Sequence, residues 1–195
     1  MNFLSHLFLS GDSEGLIIGN FIADSVKGSD YKNYSPAIQE GILLHRKIDT
    51  FTDTHPVVEE SKQRLRPAYR KYASVIVDVY YDHYLAVNWH HYSNEALSSY
   101  VQRIYSLIRR NEALLPLKSA HFTNYMVRYN ILEAYARLEG IDRVLQGMAA
   151  RAKFQSNMEL AVKDLEEHYL LFENEFRRFF PELQEFVTKE ISSSR

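Results

Sequence analysis

Four stretches of the chain carry histidines and aspartates at spacings suited to gathering them around one point. His45 and Asp49 lie one helical turn apart, and Ile38, Ile42, His45 and Asp49 share a stripe about 60° wide at helical periodicity. Asp78 and Asp82 repeat that spacing among Val75, Val79, Ala86 and Trp89, with His83 on the flank. Asn20 and Asp24 are one turn apart in a strongly apolar run, and His6 is embedded in an apolar opening segment. A carboxylate on a core-facing stripe is costly unless it is paired, hydrogen-bonded or bound to a cation. Two like charges a turn apart repel in low dielectric unless something positive lies between them. A divalent cation meets that need, and so does a buried arginine pair. Taken singly, each element also has a structural explanation: a His45–Asp49 hydrogen bond that orders a helix contact, a satisfied core histidine at position 6, a buried acceptor at Asp24. Taken together they form a ligand pool. The chain has no cysteine, so any metal must use imidazole and oxygen donors, a set that suits Mn, Fe, Zn or Mg. Such an ion lowers the pKa of bound water and neutralises phosphate oxygens, which makes phosphoester hydrolysis its natural chemistry.

These residues need helices to position them. Ser35 and Pro36 predict an N-cap and first helical residue for the helix that carries His45, with a break between Thr52 and Pro56. Asp12 or Ser13 opens an earlier helix that runs to about Lys27, with Gly28 as its left-handed stop. From Pro56 a helix starts with Glu59 and Glu60 and ends in Lys62, Arg64, Arg66, Arg70 and Lys71, the polarity that a helix dipole favours. The helix bearing Asp78 spans Ser74 to about His91. Further helices are expected from Ser93 or Asn94 to Leu115, Ser119 to Glu139 with Gly140 as its stop, Ile141 to Lys153, Asn157 to Phe180, and from Pro181 onward. No strand pattern, repeat or linker intervenes. The expectation is one all-α, compact multi-helix domain over residues 1–195, with a frayed tail at 191–195.

Bulk composition narrows the function classes. With 46% hydrophobic and 13% aromatic residues in 195, the chain has ample material for a core. A net charge of −2 gives no global basic field, so nucleic acid is not an expected partner. There is no run long enough for a membrane helix and no basic, apolar leader, so we expect a cytoplasmic protein without a membrane partner.

Four blocks carry a family resemblance: Asn2-Phe3-Leu4-Ser5-His6, Gly19 to Asp24, His45 to Asp53, and Asp78 to Leu85. In this order they resemble the acyl carrier protein phosphodiesterases, and Leu145 to Ala149 is similar too. The family is described as a divergent relative of the HD phosphohydrolases, which implies an HD-like helical architecture. It also implies a manganese-dependent enzyme that cleaves the phosphodiester between 4′-phosphopantetheine and a serine of holo-acyl carrier protein. This sequence has no adjacent His-Asp dipeptide, only the reversed Asp82-His83, so the wider superfamily's ligand order does not carry over. On the resemblance, Asp24, His45, Asp78 and Asp82 are expected metal ligands, with His6 or His83 completing the shell. Asp49 is expected to orient His45. His83 or a water would protonate the leaving serine oxygen, and Arg46 or Lys47 would hold phosphate oxygens.

Carrier proteins are acidic, so a basic docking surface is expected despite the net charge. Arg64, Arg66, Arg70 and Lys71 form one candidate, and Arg143, Arg151 and Lys153 a second. Two other functions are compatible with the residues: an HD-like phosphohydrolase for a small nucleotide or other phosphodiester, and a non-catalytic helical binding module.

Overall fold

Apolar residues at helical spacing produce helices along nearly the whole chain in a computed structural model that describes residues 1–193. Among the described residues there are eleven α-helices, joined by short turns, and no strand. They are α1 (Phe3–Leu9), α2 (Glu14–Ile22), α3 (Pro36–Thr54), α4 (Pro56–Tyr69), α5 (Ala73–Val87), α6 (Leu97–Arg110), α7 (Leu117–Arg128), α8 (Ile131–Ala134), α9 (Leu138–Arg151), α10 (Ala161–Glu167) and α11 (Tyr169–Ser193). The all-α class expected from the sequence is the one observed. None of these helices is long and apolar enough to cross a membrane.

The most extensive helix pairing is α2 with α3, and two glycines explain it. A Cβ added to Gly19 would stand 2.1 Å from the Ile38 carbonyl oxygen, and one added to Gly41 would stand 2.4 Å from that of Leu16. The two backbones therefore touch, which no larger residue at either position permits. The other central element is α5, buried on nearly every side from Ile76 to Ala86. Tyr80, Tyr81 and Tyr84 of α5 meet Phe172, Phe176 and Phe179 of α11 through their rings. Each buried hydroxyl has a partner: Tyr80 the Ala161 carbonyl, Tyr81 the Ser61 hydroxyl and Tyr84 the Tyr169 carbonyl.

Several boundaries differ from expectation. The α2 helix stops at Ile22, and Asp24 sits in a 3-10 turn over Ala23–Ser25. The expected helix 119–139 is divided at Asn130, whose φ of 47° is left-handed. Gly140 lies inside α9 rather than ending a helix, because a Cβ there would meet the Ala134 carbonyl oxygen at 1.9 Å. Pro181 lies inside α11 instead of starting a new helix. It occupies the exposed face, where the carbonyl it leaves unbonded can be solvated, while Phe176, Phe179, Phe180 and Leu183 hold the buried face together. The long amphipathic helix expected from Asn157 is instead interrupted before Tyr169. Of the tail 191–195, the segment through Ser193 is helical, and residues 194–195 lie outside the described residues.

The glycine contact yields the first prediction. Gly19→Ala should force α2 and α3 apart, with an overpacking cost of about 3 kcal/mol measured by urea unfolding. An exposed alanine substitution such as Gln63→Ala on α4 should leave the midpoint nearly unchanged.

Candidate metal centre

Five of the side chains singled out by spacing converge at the junction of α1, α2, α3 and α5. The rings of His6 and His45 stack with centroids 4.0 Å apart and planes inclined by 18°. Asp49 spans both: its Oδ1 is 3.1 Å from His6 Nε2, and its Oδ2 is 3.1 Å from His45 Nε2. Asp24 Oδ1 lies 3.4 Å from the same His45 nitrogen. From α5, Asp78 accepts a hydrogen bond from the Met1 ammonium at 2.9 Å, and that nitrogen is 4.0 Å from Asp49 Oδ1. All five residues line one cleft of about 520 Å³.

A residue not given a role from the sequence orients this group. Asn20 Nδ2 donates to the His6 carbonyl and to Ser10 Oγ, each at 2.9 Å, which fixes which end of the amide is oxygen. Its Oδ1 then accepts from His45 Nδ1 at 2.9 Å. The proton on Nδ1 leaves the His45 Nε2 position facing the carboxylates of Asp24 and Asp49. The α2–α3 backbone contact makes this possible, because Asn20 follows Gly19 and His45 lies one turn beyond Gly41.

The charges reinforce one another. Burial works against a charged His45, yet its hydrogen bonds to Asp24 and Asp49 raise its pKa to about 9. Burial, with the nearby positive charge of His45, lowers His6 to about 4. Burial opposes ionisation of Asp49, but hydrogen bonds from both imidazoles hold it far below the usual carboxylate range. Asp24 is lowered chiefly by its bond to His45. Asp78 is raised by burial, partly offset by the Met1 ammonium.

This donor set fits a divalent cation. His6, His45 and Asp49 each offer a ligand atom, and all three atoms lie within 4.8 Å of one another. Asp24 adds a further oxygen beside them. His6 Nδ1, Asn2 Nδ2 and Thr52 Oγ1 are buried without hydrogen-bond partners, and all three residues line the cleft. Nitrogen and carboxylate oxygen donors around a polar cleft suit Mn, Fe, Zn or Mg, and a neutral imidazole ligand normally has its other nitrogen bonded, as Asn20 does for His45.

The structure changes several roles expected from the sequence. Asp49 does not orient His45 from behind; it faces the Nε2 side, and Asn20 holds the other side. Asp82 is fully buried away from the imidazoles and caps α1, accepting from the Leu4, Ser5 and Asn2 amides at 2.7, 3.2 and 3.3 Å and from Ser5 Oγ at 2.5 Å. Burial raises its pKa to about 7 despite these bonds. His83 is committed to the Tyr135 carbonyl at 2.7 Å and the Tyr169 hydroxyl at 2.9 Å, and it does not line the cleft. Arg46 donates to the Val26 and Gly28 carbonyls and lies over the Tyr31 ring, while Lys47 pairs with Glu190. Arg64 forms a two-pronged bond with the buried Glu175, and Arg66 pairs with Glu59. Arg70 and Lys71 make no ion pair among the described residues, and Lys71 lines the cleft.

Comparison with known proteins matches the chain to a family. The family model described as acyl carrier protein phosphodiesterase matches residues 1–183. A relative of that name from Yersinia enterocolitica is 35% identical over 93% of this chain and 94% of its own length. One from Photorhabdus laumondii is 34% identical over 95% and 94%, and one from Pectobacterium atrosepticum 32% over 96% and 97%. No solved structure matches the chain. The chain belongs to the acyl carrier protein phosphodiesterase family.

Two outcomes are expected of the centre itself. Asn20→Ala should weaken divalent-cation binding about 10- to 100-fold, measured by isothermal titration with Mn, Zn and Mg in turn, because His45 loses its orienting acceptor. In the wild type, His45 is protonated below its pKa of about 9 and must lose that proton to donate to a metal. Metal binding at neutral pH should therefore release about one proton, and the release should vanish as the pH rises through that value. Titrations in buffers of different ionisation enthalpy measure it.

Proposed function

We propose that this member of the family is a metal-dependent phosphodiesterase that removes 4′-phosphopantetheine from the serine of holo-acyl carrier protein. The products are apo-carrier protein and free 4′-phosphopantetheine. The observation that carries the proposal is the His6–Asp49–His45 cluster, opening into a cleft, in a chain whose family match extends over residues 1–183. We place the activity in one all-helical domain working in the cytoplasm.

His6, His45, Asp49 and Asp24 would hold the cation, which we infer to be manganese, with Asp78 beside them. When bound, it supplies a Lewis acid for the phosphate oxygens and acidifies water for attack. The protein's own groups do the rest. Asn20 holds His45 in the donating tautomer. The stacked His6 ring and the carboxylates of Asp24 and Asp49 restrict the position of His45 from the other side. Lys71, at the cleft wall without an ion pair, takes the phosphate-holding role first expected of Arg46 or Lys47. An ammonium acts there as a point charge on the diester oxygens. His83 is held elsewhere, so water is the group left to protonate the departing serine oxygen.

The docking surface also changes. Arg64 and Arg66 are neutralised within the protein, whereas Arg70, Lys71, Arg151 and Lys153 form no ion pair among the described residues. Lys71 and Lys153 both lie over the Phe154 ring, so the two basic clusters read separately from the sequence meet there. This joined patch is the surface that would receive the acidic carrier protein.

The test is release of 4′-phosphopantetheine from holo-acyl carrier protein with manganese, followed by intact mass. Wild type should remove the prosthetic-group mass, and Asp49→Asn should not, while keeping its helical circular dichroism. If no divalent metal supports mass loss but bis(p-nitrophenyl) phosphate is hydrolysed, the substrate is a small phosphodiester instead. A second expectation concerns docking. Arg151→Glu with Lys153→Glu should raise KM for the carrier protein and flatten its salt dependence, leaving the small diester's hydrolysis within about twofold.

A further inference from the structure

A second cavity of about 900 Å³ lies beside the metal cleft, and Lys71 and Tyr72 line both. One wall is the α4–α5 junction from Pro67 to Tyr72, and the other is the irregular segment from Phe154 to Asn157 between α9 and α10. Both walls contain a non-glycine residue with positive φ. Arg70 has φ 52° and ψ −124°, and Asn157 has φ 57°. For arginine that geometry is a strain that surrounding structure must sustain, and such strain concentrates at functional sites. The walls are tied together: Tyr72 Oη donates to the Phe154 carbonyl at 3.2 Å, and Lys71 Nζ lies 4.4 Å from the centre of the Phe154 ring. Phe154 nonetheless remains 57% exposed, a large apolar surface left open at the rim of a polar groove.

We propose that this groove is the binding site for the pantetheine arm of the substrate. The inference rests on the proposed function, and it adds where the remainder of the prosthetic group lies. A phosphodiester at the metal centre must pass its organic arm out of the cleft, and the boundary residue Lys71 suits the phosphate end. Beyond it the groove offers what a neutral chain with two amides, a hydroxyl and a branched dimethyl carbon needs. Tyr72 and Phe154 supply aromatic surface, while Gln155 and Asn157 supply amide donors and acceptors. Those two amides now satisfy one another at 3.2 Å and can exchange that bond for bonds to a ligand. The arm's binding energy would then be used to align the phosphate at a distance, which raises turnover of the whole substrate over a diester without the arm.

The test uses manganese-loaded enzyme and two groove variants. Ala68→Trp fills the groove from an exposed position on α4, and Gln155→Ala removes an amide partner from an exposed position on the opposite wall. Pantetheine, the arm without phosphate, should bind the wild type by calorimetry and competitively inhibit cleavage of holo-acyl carrier protein. Both variants should lose about tenfold in that affinity and in kcat/KM for the carrier protein, with bis(p-nitrophenyl) phosphate hydrolysis unchanged within about twofold. Unaltered pantetheine binding in both variants overturns the proposal. So does a fall in carrier-protein cleavage without a change in pantetheine affinity, which would assign the groove to the carrier polypeptide. If wild type leaves holo-carrier protein intact, the proposed function fails, and calorimetry with pantetheine still decides the groove.

Discussion

The direct contact of two helix backbones at Gly19 and Gly41 fixes the geometry on which the candidate centre depends. Helices separated by ordinary side chains can slide or rotate slightly as those side chains change rotamer. Helices in contact through glycine have little such freedom, because the carbonyls of Leu16 and Ile38 lie where side chains would begin. The register that results sets Asn20 against His45 and brings Asp24 to the far side of the same ring. The glycines cost helix propensity, about 1 kcal/mol each relative to alanine. What they secure is an imidazole held from both sides, with its proton placement determined by an amide whose own orientation is locked.

The other half of the centre depends on a charge that never reaches it. Asp82 lies one turn from Asp78 on α5, but its carboxylate meets the free amides at the start of α1. A short helix has little intrinsic stability, and an anion at its N-terminus offsets both the dipole and the unsatisfied N–H groups. Burying that carboxylate is costly, as its raised pKa shows. The return is that α1, and with it His6, is held against α5. Thus two aspartates of one stripe divide the work: Asp78 faces the cleft, and Asp82 anchors the helix that supplies an imidazole to it.

That division shows how far the sequence could be read. Periodicity placed His45 and Asp49 on one inner face correctly, because both are defined by their own helix. It could not separate Asp78 from Asp82, since their roles depend on what the neighbouring helix presents opposite each one. Asn20 was visible as a polar residue in an apolar run, yet a neutral amide gives no electrostatic signal that would mark it as the orienting group. Arg64 and Arg66 looked available for docking because their partners, Glu175 and Glu59, could be assigned only once the helices were packed. The family resemblance came from contiguous blocks and did not depend on these tertiary details. Helix ends depart from local preference where backbone contact overrides it, as at Gly140, or where a buried aromatic face carries a helix past a proline, as at Pro181.

Net charge is a poor guide to the field a substrate would meet here. Arginines and lysines on α3, α4, α6 and α11 are largely neutralised by nearby carboxylates. Lys71 and Lys153, which have no such partner among the described residues, meet at the Phe154 ring, and Lys71 reaches the cleft. The cleft floor gathers Asp24, Asp49 and Asp78 in a small space, where the Met1 ammonium and His45 balance part of their charge. On the proposed function, a phosphodiester would be drawn to the basic rim at Lys71, while the floor's own positive groups are already engaged by its carboxylates. On that reading a divalent ion would supply the uncommitted positive charge that the floor lacks, so that rim and ion would act on the phosphate together.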